Sequence, residues 1–185
     1  MKIVLDMDDT LIANPKVATS LKVHDISTKF MEDHIVLRPF VESFLSFCNE
    51  NFEETILCTF SGKKRMRDCL IHTGIGFYFS RTFSYEDIAE YGCSELTNLK
   101  HKTEDIGDFL LVDDMSYDSN VVLAKMKFFG VDLRDVDWIR LLENELNETD
   151  LDEVNKRLIQ VNRFMGNEDD DQLIKTREEI MKRIS

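Results

Sequence analysis

The chain has 185 residues, 43% of them hydrophobic, which is enough apolar material for one complete core. Its formal net charge of -13 repels nucleic acid and anionic membrane surfaces at long range, which argues against a general nucleic-acid-coating role. The apolar start, Met1 to Leu5, is too short for a signal peptide or a membrane span, and the four cysteines lack paired C-x-x-C spacing. We therefore expect a cytoplasmic protein with reduced thiols and no membrane contact.

Short apolar runs predict strands that are buried on both faces of a parallel sheet. They occupy residues 3–5, 55–58 and 109–112, and polar residues follow each of them. Helical periodicity fills the intervals between these runs. One helix is predicted just after Pro39, and a second is predicted from about Lys63 to Thr73, with Gly74 as its stop.

The pattern further along the chain predicts a helix near 119–126 and a short strand near 127–131. Strands that alternate with helices predict an α/β fold, a right-handed three-layer sandwich around a central parallel sheet. Residues 13–37 interrupt the alternation, and we interpret them as a small β-hairpin or flap inserted after the first strand. From about residue 135 the pattern is purely helical. The predicted organisation is therefore a core over 1–134 and a helical C-terminal extension over 135–185.

The last predicted helix carries an apolar stripe that includes Leu173, Ile174, Ile180 and Ile184. Such an amphipathic helix packs on the core of its own chain or on a second subunit. A homodimer through the C-terminal helices is the self-association that this pattern predicts.

Carboxylates and hydroxyls follow all three predicted strands. They are Asp6, Asp8 and Thr10 after the first strand, Thr59 and Ser61 after the second, and Asp113 and Asp114 after the third. These side chains should meet, because the ligand crevice of a parallel sheet lies at the carboxyl ends of its strands. Two carboxylates about 4 Å apart repel by about 4 kcal/mol at an effective dielectric near 20, so a divalent cation should lie between them. Oxygen ligands without histidine or cysteine favour Mg²⁺ over zinc.

A calcium loop and solvated turns account less well for the acidic residues. An EF-hand calcium loop that began at Asp6 would need glycine at Leu11 and glutamate at Val17, so that interpretation fails. Each acidic pair alone is also compatible with a solvated turn. The coincidence of the acids at separate strand ends, with a hydroxyl motif between them, argues against solvated turns.

The segment Asp6-Met7-Asp8-Asp9-Thr10-Leu11 resembles motif I, D-x-D-x-T, of the haloacid dehalogenase (HAD) superfamily. Thr59 matches the motif II hydroxyl of that superfamily, and Val112-Asp113-Asp114 resembles its acidic motif IV. Residues 37–45 and 57–61 are similar to the R-P-G-x-x-x-F-L and F-T-A-S runs of the NIF-type phosphatases, and 79–83 to their Y-R-L-F-R segment. That group includes the RNA polymerase carboxy-terminal-domain phosphatases. Phe40 stands at the glycine of this pattern and Asp114 at an asparagine.

The resemblance implies a Rossmann-like HAD fold and a Mg²⁺-dependent phosphatase. Asp6 is then the nucleophile that forms an aspartyl-phosphate, and Asp8 is the general acid and base. Magnesium is expected on the Asp6 carboxylate, the Asp8 backbone carbonyl and Asp114, with Asp113 orienting these ligands.

The resemblance also implies side chains that hold the substrate. Thr59 and a lysine should bind phosphoryl oxygens; ungapped counting places the motif III lysine at Thr97, so Lys100, one helical turn on, is the candidate and Lys102 the alternative. The helix that starts near Gly62 should aim its amides at the phosphate, with Ser61 as its N-cap. The other expected substrate contacts are Thr10, Ser61, Gly62, Lys63 and Arg65.

The expected substrate is an exposed phosphate on a macromolecule, such as phosphoserine or phosphothreonine in a protein, because no large cap domain fits between the first two motifs. A 5'(3')-nucleotidase or a polynucleotide end phosphatase is the alternative. It is suggested by the deoxyribonucleotidase-like segment 107–114 and by the basic cluster of Lys63, Lys64, Arg65 and Arg67. A third alternative is a catalytically silent HAD-fold module that binds a partner through its acidic helical tail.

Overall fold

In a computed structural model of the protein, the residues that the structure describes are 1–13, 35–59, 61–84, 86–87, 108–114 and 155–185. The strands among them are β1 (Lys2–Leu5), β2 (Ile12–Ala13), β3 (Val36–Leu37), β4 (Thr55–Cys58), β5 (Arg81–Phe83), β6 (Phe109–Asp113) and β7 (Leu158–Gln160). Five of these described strands form one sheet in the order β5-β4-β1-β6-β7, and each adjacent pair is parallel. The prediction of an α/β fold with a central parallel sheet is confirmed.

The centre of the sheet is β1, which is paired on both sides. Ile3 lies opposite Thr55 of β4 and opposite Leu110 of β6. Ile3, Val4 and Leu5 are almost completely buried, so both faces of the strand are covered. The apolar run at the start of the sequence is uninterrupted because this strand is buried at the centre of the sheet.

The described helices are α1 (Val41–Asn51), α2 (Lys63–Thr73) and α3 (Gln172–Ile184), with a 3₁₀ turn at Ile75–Tyr78. The first helix buries one face, which includes Val41, Phe44, Leu45 and Cys48, against the core. The second ends at Gly74, whose φ of 73° is in the left-handed region that favours glycine. Both helices lie where the periodicity predicted them.

The prediction that residues 135–185 are purely helical is wrong at Leu158–Gln160. This segment is β7, which pairs with β6 and is the outermost strand on that side among the residues that the structure describes. Leu158 and Val161 have the i, i+3 spacing of a helix face, and a run this short does not distinguish strand from helix. The sheet of the core therefore includes a strand from the predicted extension.

The last helix, α3, packs on α1 of the same chain. Leu173, Thr176 and Ile180 are buried in that contact, so the apolar stripe is used within the chain. Ile174 and Met181 remain on the outer side. A homodimer through the C-terminal helices stays a prediction, and it would use this outer side.

The ends of the predicted flap pair with each other. β2 and β3 are antiparallel, with Ile12 opposite Leu37 and Ala13 opposite Val36. The residues between them, 14–34, lie outside the described part of the chain, as do the predicted helix and strand at 119–131. None of the described helices combines the length and the apolar composition that crossing a membrane requires.

Candidate active site

The site lies where β1, β4 and β6 end. Because β1 lies between β4 and β6, the residues that follow these three parallel strands come together at one edge. The Asp6 N–H donates a hydrogen bond to the Val112 carbonyl at 3.0 Å, which fixes the exit of β1 against β6. The strand order therefore brings the acidic residues of the first and third runs together.

Three carboxylates form a compact group at this edge. One oxygen each from Asp6, Asp113 and Asp114 lies within 4.8 Å of the other two. Asp6 and Asp113 are buried, and Asp114 is half-buried. Carboxylates at such separations repel by roughly 3–4 kcal/mol per pair at an effective dielectric near 20. A hard divalent cation removes this repulsion, and an all-oxygen set of donors fits Mg²⁺.

The carboxylate of Asp8, in the first motif, contacts the second motif and the first turn of α2. Arg65 binds it with both terminal nitrogens, at 2.6 Å to Oδ2 and 2.5 Å to Oδ1. The Ser61 hydroxyl donates to Oδ2 at 2.5 Å, and the Thr59 hydroxyl lies 3.4 Å from the same oxygen. Thr59, Ser61 and Arg65, which the sequence predicted as separate contributors, therefore converge on Asp8.

The predicted role of Ser61 as a helix N-cap is wrong. The N-cap of α2 is Gly62, which offers no side chain for capping, and Ser61 does not cap that end. The Ser61 N–H donates to the Thr59 hydroxyl at 3.1 Å, and this local turn aims the Ser61 hydroxyl at Asp8 and Arg65. Ser61 is thus a partner of Asp8 rather than of the helix.

The first amide of α2 is bound by a carboxylate of the protein itself. The Lys63 N–H donates to Glu86 Oε2 at 2.6 Å, and the Lys63 ammonium lies 2.8 Å from Asp87. Burial alone would raise the pKa of Asp87, but hydrogen bonds from Lys63 and Ser84 lower it to about 2. Gly62 and Lys63, which were predicted to cradle the phosphate, therefore face Glu86 and Asp87.

Thr10 is completely buried, and its hydroxyl accepts a hydrogen bond from the Asp114 N–H at 3.0 Å. This burial does not fit the predicted contact with substrate. Thr10 instead connects the loop after β1 to the turn after β6. It therefore positions a candidate metal ligand.

The sequence of residues 1–156 matches the family of NLI interacting factor-like (NIF) phosphatases. The chain belongs to this family. It is accordingly a HAD-type phosphatase, as the motifs indicated. No curated protein sequence matches the chain significantly.

Solved structures similar to this NIF-family chain share its fold at low sequence identity. A protein of Thermotoga maritima assigned as a beta-phosphoglucomutase is 12% identical with a TM-score of 0.56, over 100% of this chain and 98% of that one. A predicted phosphatase from Clostridium acetobutylicum is 11% identical with a TM-score of 0.52, over 98% of each chain. Fcp1, an essential RNA polymerase II CTD phosphatase, is 15% identical with a TM-score of 0.51, over 98% of this chain and 61% of that one. At these identities the likeness establishes the fold alone.

Phe40, which departs from the NIF-type pattern, has an unusual backbone conformation. Phe40 occupies the glycine position of R-P-G and has a φ of 66°, in the left-handed region. A glycine adopts this conformation without the Cβ clash that phenylalanine suffers. Phe40 therefore adopts, at a cost in strain, a backbone conformation that a glycine would adopt freely.

Arg38 is a residue that sequence reasoning missed. Its side chain is 0% exposed, and its guanidinium donates to the Asp170 carboxylate and to the backbone carbonyls of Thr10 and Asn162. Its partners Asn162 and Asp170 lie beyond residue 156, where the family match ends. The signal in the sequence was that Arg38 is the arginine of the run similar to R-P-G, which was interpreted as part of the resemblance and not as a site residue.

Asp9 and Arg163 form a second unpredicted pair beside the site. Arg163 donates to the Asp9 carboxylate at 2.5–2.6 Å, and the Phe164 N–H donates to the Asp9 carbonyl at 2.6 Å. Burial raises the pKa of Asp9 above its ordinary value, although the charge and hydrogen bond of Arg163 oppose the rise. The φ of Asp9 is 60°, so this loop is held in a conformation that few residues adopt.

Lys100 and its alternative Lys102 lie outside the described residues. Their predicted contact with the phosphoryl group stays a prediction. Among the described residues, Arg65 is a cation that reaches Asp8 directly.

Proposed function

We propose that this NIF-family phosphatase hydrolyses phosphate monoesters in a Mg²⁺-dependent reaction through an aspartyl-phosphate on Asp6. The proposed substrate is an exposed phosphate on a macromolecule, such as phosphoserine or phosphothreonine in a protein. The observation that carries the proposal is the convergence of Asp6, Asp113 and Asp114 within 4.8 Å, at the same strand ends as Asp8 and Thr59. Membership of a phosphatase family supports the reaction class.

The proposed metal ligands are the carboxylates of Asp6 and Asp114 and the backbone carbonyl of Asp8. Asp113 is buried, lies opposite Gln160 of β7 and accepts the Val161 N–H through its carbonyl, which suits a residue that orients the other ligands. When bound, Mg²⁺ would neutralise the carboxylates and draw charge from the phosphoryl oxygens.

In the proposed first step, a carboxylate oxygen of Asp6 attacks phosphorus in line. A bond forms between Asp6 and phosphorus as the bond to the leaving oxygen breaks, and Asp8 protonates that oxygen. In the second step water attacks the same phosphorus and Asp8 accepts its proton. The Asp6–phosphorus bond breaks, inorganic phosphate leaves, and both aspartates return to their starting state.

Thr59 and Arg65 are the proposed holders of the phosphoryl oxygens among the described residues. The Thr59 hydroxyl and the Arg65 guanidinium both lie at the Asp8 carboxylate, next to the path of proton transfer. A guanidinium binds phosphate oxygens with the same two-pronged geometry that it uses on a carboxylate. Proton transfer needs a free Asp8 oxygen, so Arg65 would pass from Asp8 to the entering phosphoryl group.

Three observations favour a protein phosphate over the nucleotide and polynucleotide alternatives. Lys63 is ion-paired with Asp87 and Lys64 with Asp68, so part of the basic cluster is neutralised within the chain. The stretch between β2 and β3 is short for a cap that would enclose a small substrate. The fold is also that of Fcp1, a phosphatase of the RNA polymerase II CTD.

The test is a phosphate-release panel of phosphopeptides, mononucleotides and end-phosphorylated oligonucleotides, each with Mg²⁺ and with EDTA. We expect release from phosphopeptides that EDTA abolishes and added Mg²⁺ restores. Asp6→Asn should lose at least about a thousandfold in rate while remaining folded, because an amide does not attack phosphorus. Asp108→Asn, an exposed aspartate just before β6, is the matched control and should keep full activity.

Three outcomes would count against the proposal. An active Asp6→Asn enzyme with unchanged metal dependence would refute the nucleophile. Preference for oligonucleotides with a steep loss of rate in salt would favour the polynucleotide alternative. A folded full chain that releases no phosphate from any substrate would favour the binding module.

A further inference from the structure

The guanidinium of Arg38 uses its hydrogen-bond donors inside the protein. Nε and Nη2 bind the two oxygens of Asp170 at 2.9 Å each, Nη1 binds the Thr10 carbonyl at 2.9 Å, and Nη2 also binds the Asn162 carbonyl at 2.6 Å. The guanidinium carbon lies 5.3 Å from the centre of the Phe164 ring. A charged side chain with no exposed surface is tolerated only when it is fully partnered in this way.

Thr10 connects Arg38 to the three clustered carboxylates through two hydrogen bonds. Its carbonyl accepts from Arg38, and its hydroxyl accepts from the N–H of Asp114. Asp114 is the first residue after β6, so the strand ladder that aligns β6 with β1 does not reach it. The Gln160 side-chain amide lies 3.4 Å from the Asp114 carbonyl and adds a weaker contact from β7.

The segment from 161 to 172 therefore holds the loop after β1 at two successive residues. At Asp9 it uses Arg163 and the Phe164 N–H, and at Thr10 it acts through Arg38. Asp170 also accepts the Gln172 N–H at the start of α3, which fixes its carboxylate in place. The chain of contacts runs from this segment through Arg38 and Thr10 to a proposed metal ligand.

We propose that Arg38 and Asp170 are positioning residues of the metal site, which act through Thr10 to hold the Asp114 carboxylate within reach of Asp6 and Asp113. The inference rests on the proposed function in one respect, because it takes these three carboxylates as the site that binds the cation. It assigns a role in the chemistry to a segment beyond the family match. Residues that orient metal ligands without touching the metal typically change metal affinity by ten- to a hundredfold when replaced.

The direct test is a pair of substitutions at Thr10 in the full chain. Thr10→Val keeps the shape of the side chain and removes the acceptor of the Asp114 N–H, whereas Thr10→Ser keeps the hydroxyl. Mn²⁺ binding, followed by the loss of the free-ion electron paramagnetic resonance signal, is the readout. We expect the dissociation constant for Mn²⁺ to rise about tenfold or more in Thr10→Val and less than about threefold in Thr10→Ser.

A second test separates positioning from general stability. Arg38→Met and Asp170→Leu each leave one buried charge without its partner, whereas the double variant removes both charges. We expect the double variant to unfold at a higher urea concentration than either single variant. Its Mn²⁺ affinity should stay as low as that of Arg38→Met, because the Thr10 carbonyl still lacks its donor.

Arg177→Met is the matched control, since Arg177 also stacks on an aromatic ring, Phe47, but between α3 and α1. It should lower stability without changing the Mn²⁺ affinity. The inference is overturned if Mn²⁺ affinity recovers together with stability in the double variant, or if Thr10→Val binds Mn²⁺ as the wild type does. It is also overturned if the wild type binds no Mn²⁺.

Release of phosphate from p-nitrophenyl phosphate in the same samples distinguishes the two proposals. Suppose that the wild type binds Mn²⁺ but releases no phosphate, and that the variants bind Mn²⁺ weakly. This result would defeat the proposed function and support the positioning role of Arg38 and Asp170. If the wild type releases phosphate and the variants bind Mn²⁺ normally, the proposed function is supported and the positioning role is defeated.

Discussion

Replacing Phe40 should reverse the usual order of glycine and alanine in their effect on stability. Phe40 has a φ of 66°, and its side chain is 53% exposed, so truncation removes little packing. An L-residue in the left-handed region costs roughly 1–2 kcal/mol, and glycine, which avoids that cost, loses roughly 0.5–1 kcal/mol more backbone entropy on folding than alanine. The difference leaves Phe40→Gly more stable than Phe40→Ala by about 0.5–1 kcal/mol.

Urea unfolding followed by circular dichroism measures this difference. With a slope of about 2 kcal/mol per molar urea, the midpoint of Phe40→Gly should lie roughly 0.3–0.5 M above that of Phe40→Ala. The pair Asn49→Gly and Asn49→Ala, on the exposed face of α1, is the control and should show the ordinary order, with alanine more stable. A Phe40→Ala variant as stable as Phe40→Gly would refute the claim of strain at this position.

Two further predictions concern charged residues on α2 and its neighbours. The lowered pKa of Asp87 contributes stability that is fully present above the unfolded value of 3.8 and is lost as the pH falls toward 2. Asp87→Asn should therefore destabilise the protein by about 1 kcal/mol at pH 7, after allowance for the exposed Lys63, and urea midpoints measured from pH 7 to pH 2 should converge with those of the wild type. Arg65→Gln should raise KM for p-nitrophenyl phosphate by roughly ten- to a hundredfold, since a charge-assisted hydrogen bond contributes about 1.5–3 kcal/mol. Arg67→Gln, on the same helix, should not, and an unchanged KM in Arg65→Gln would remove Arg65 from the substrate site.

The sheet and the acidic edge were predictable from the sequence because their signals are local. The strand at Phe109–Asp113 is an apolar run followed by acids, and the same is true of the strand that ends before Asp6. Residues at the ends of adjacent parallel strands must meet whatever the intervening chain does. The membership of Asp6, Asp113 and Asp114 in one group followed from this rule.

The features that the sequence did not predict depend on contacts between residues far apart in the chain. Arg38 and Asp170 are 132 positions apart, and nothing in local periodicity marks either as the partner of the other. The strand at Leu158–Gln160 has too few residues to display a period of two, so its neighbours suggested a helix. The capture of Asp8 by Arg65 was missed because a basic residue at the start of a helix has many solvent-exposed alternatives.

The strand β7 lies late in the chain but pairs with the strand that carries the acidic residues Asp113 and Asp114. Until residues 158–161 have left the ribosome, β6 lacks its outer neighbour and the Asp113 carbonyl lacks the Val161 N–H. Arg163 and Asp9 are 154 residues apart in sequence. Contacts between such distant positions form slowly during folding, because a long loop must be closed first. A nascent chain that already carries the whole D-x-D-x-T loop therefore cannot lock that loop through Arg163 and Phe164 until about 150 further residues have been synthesised.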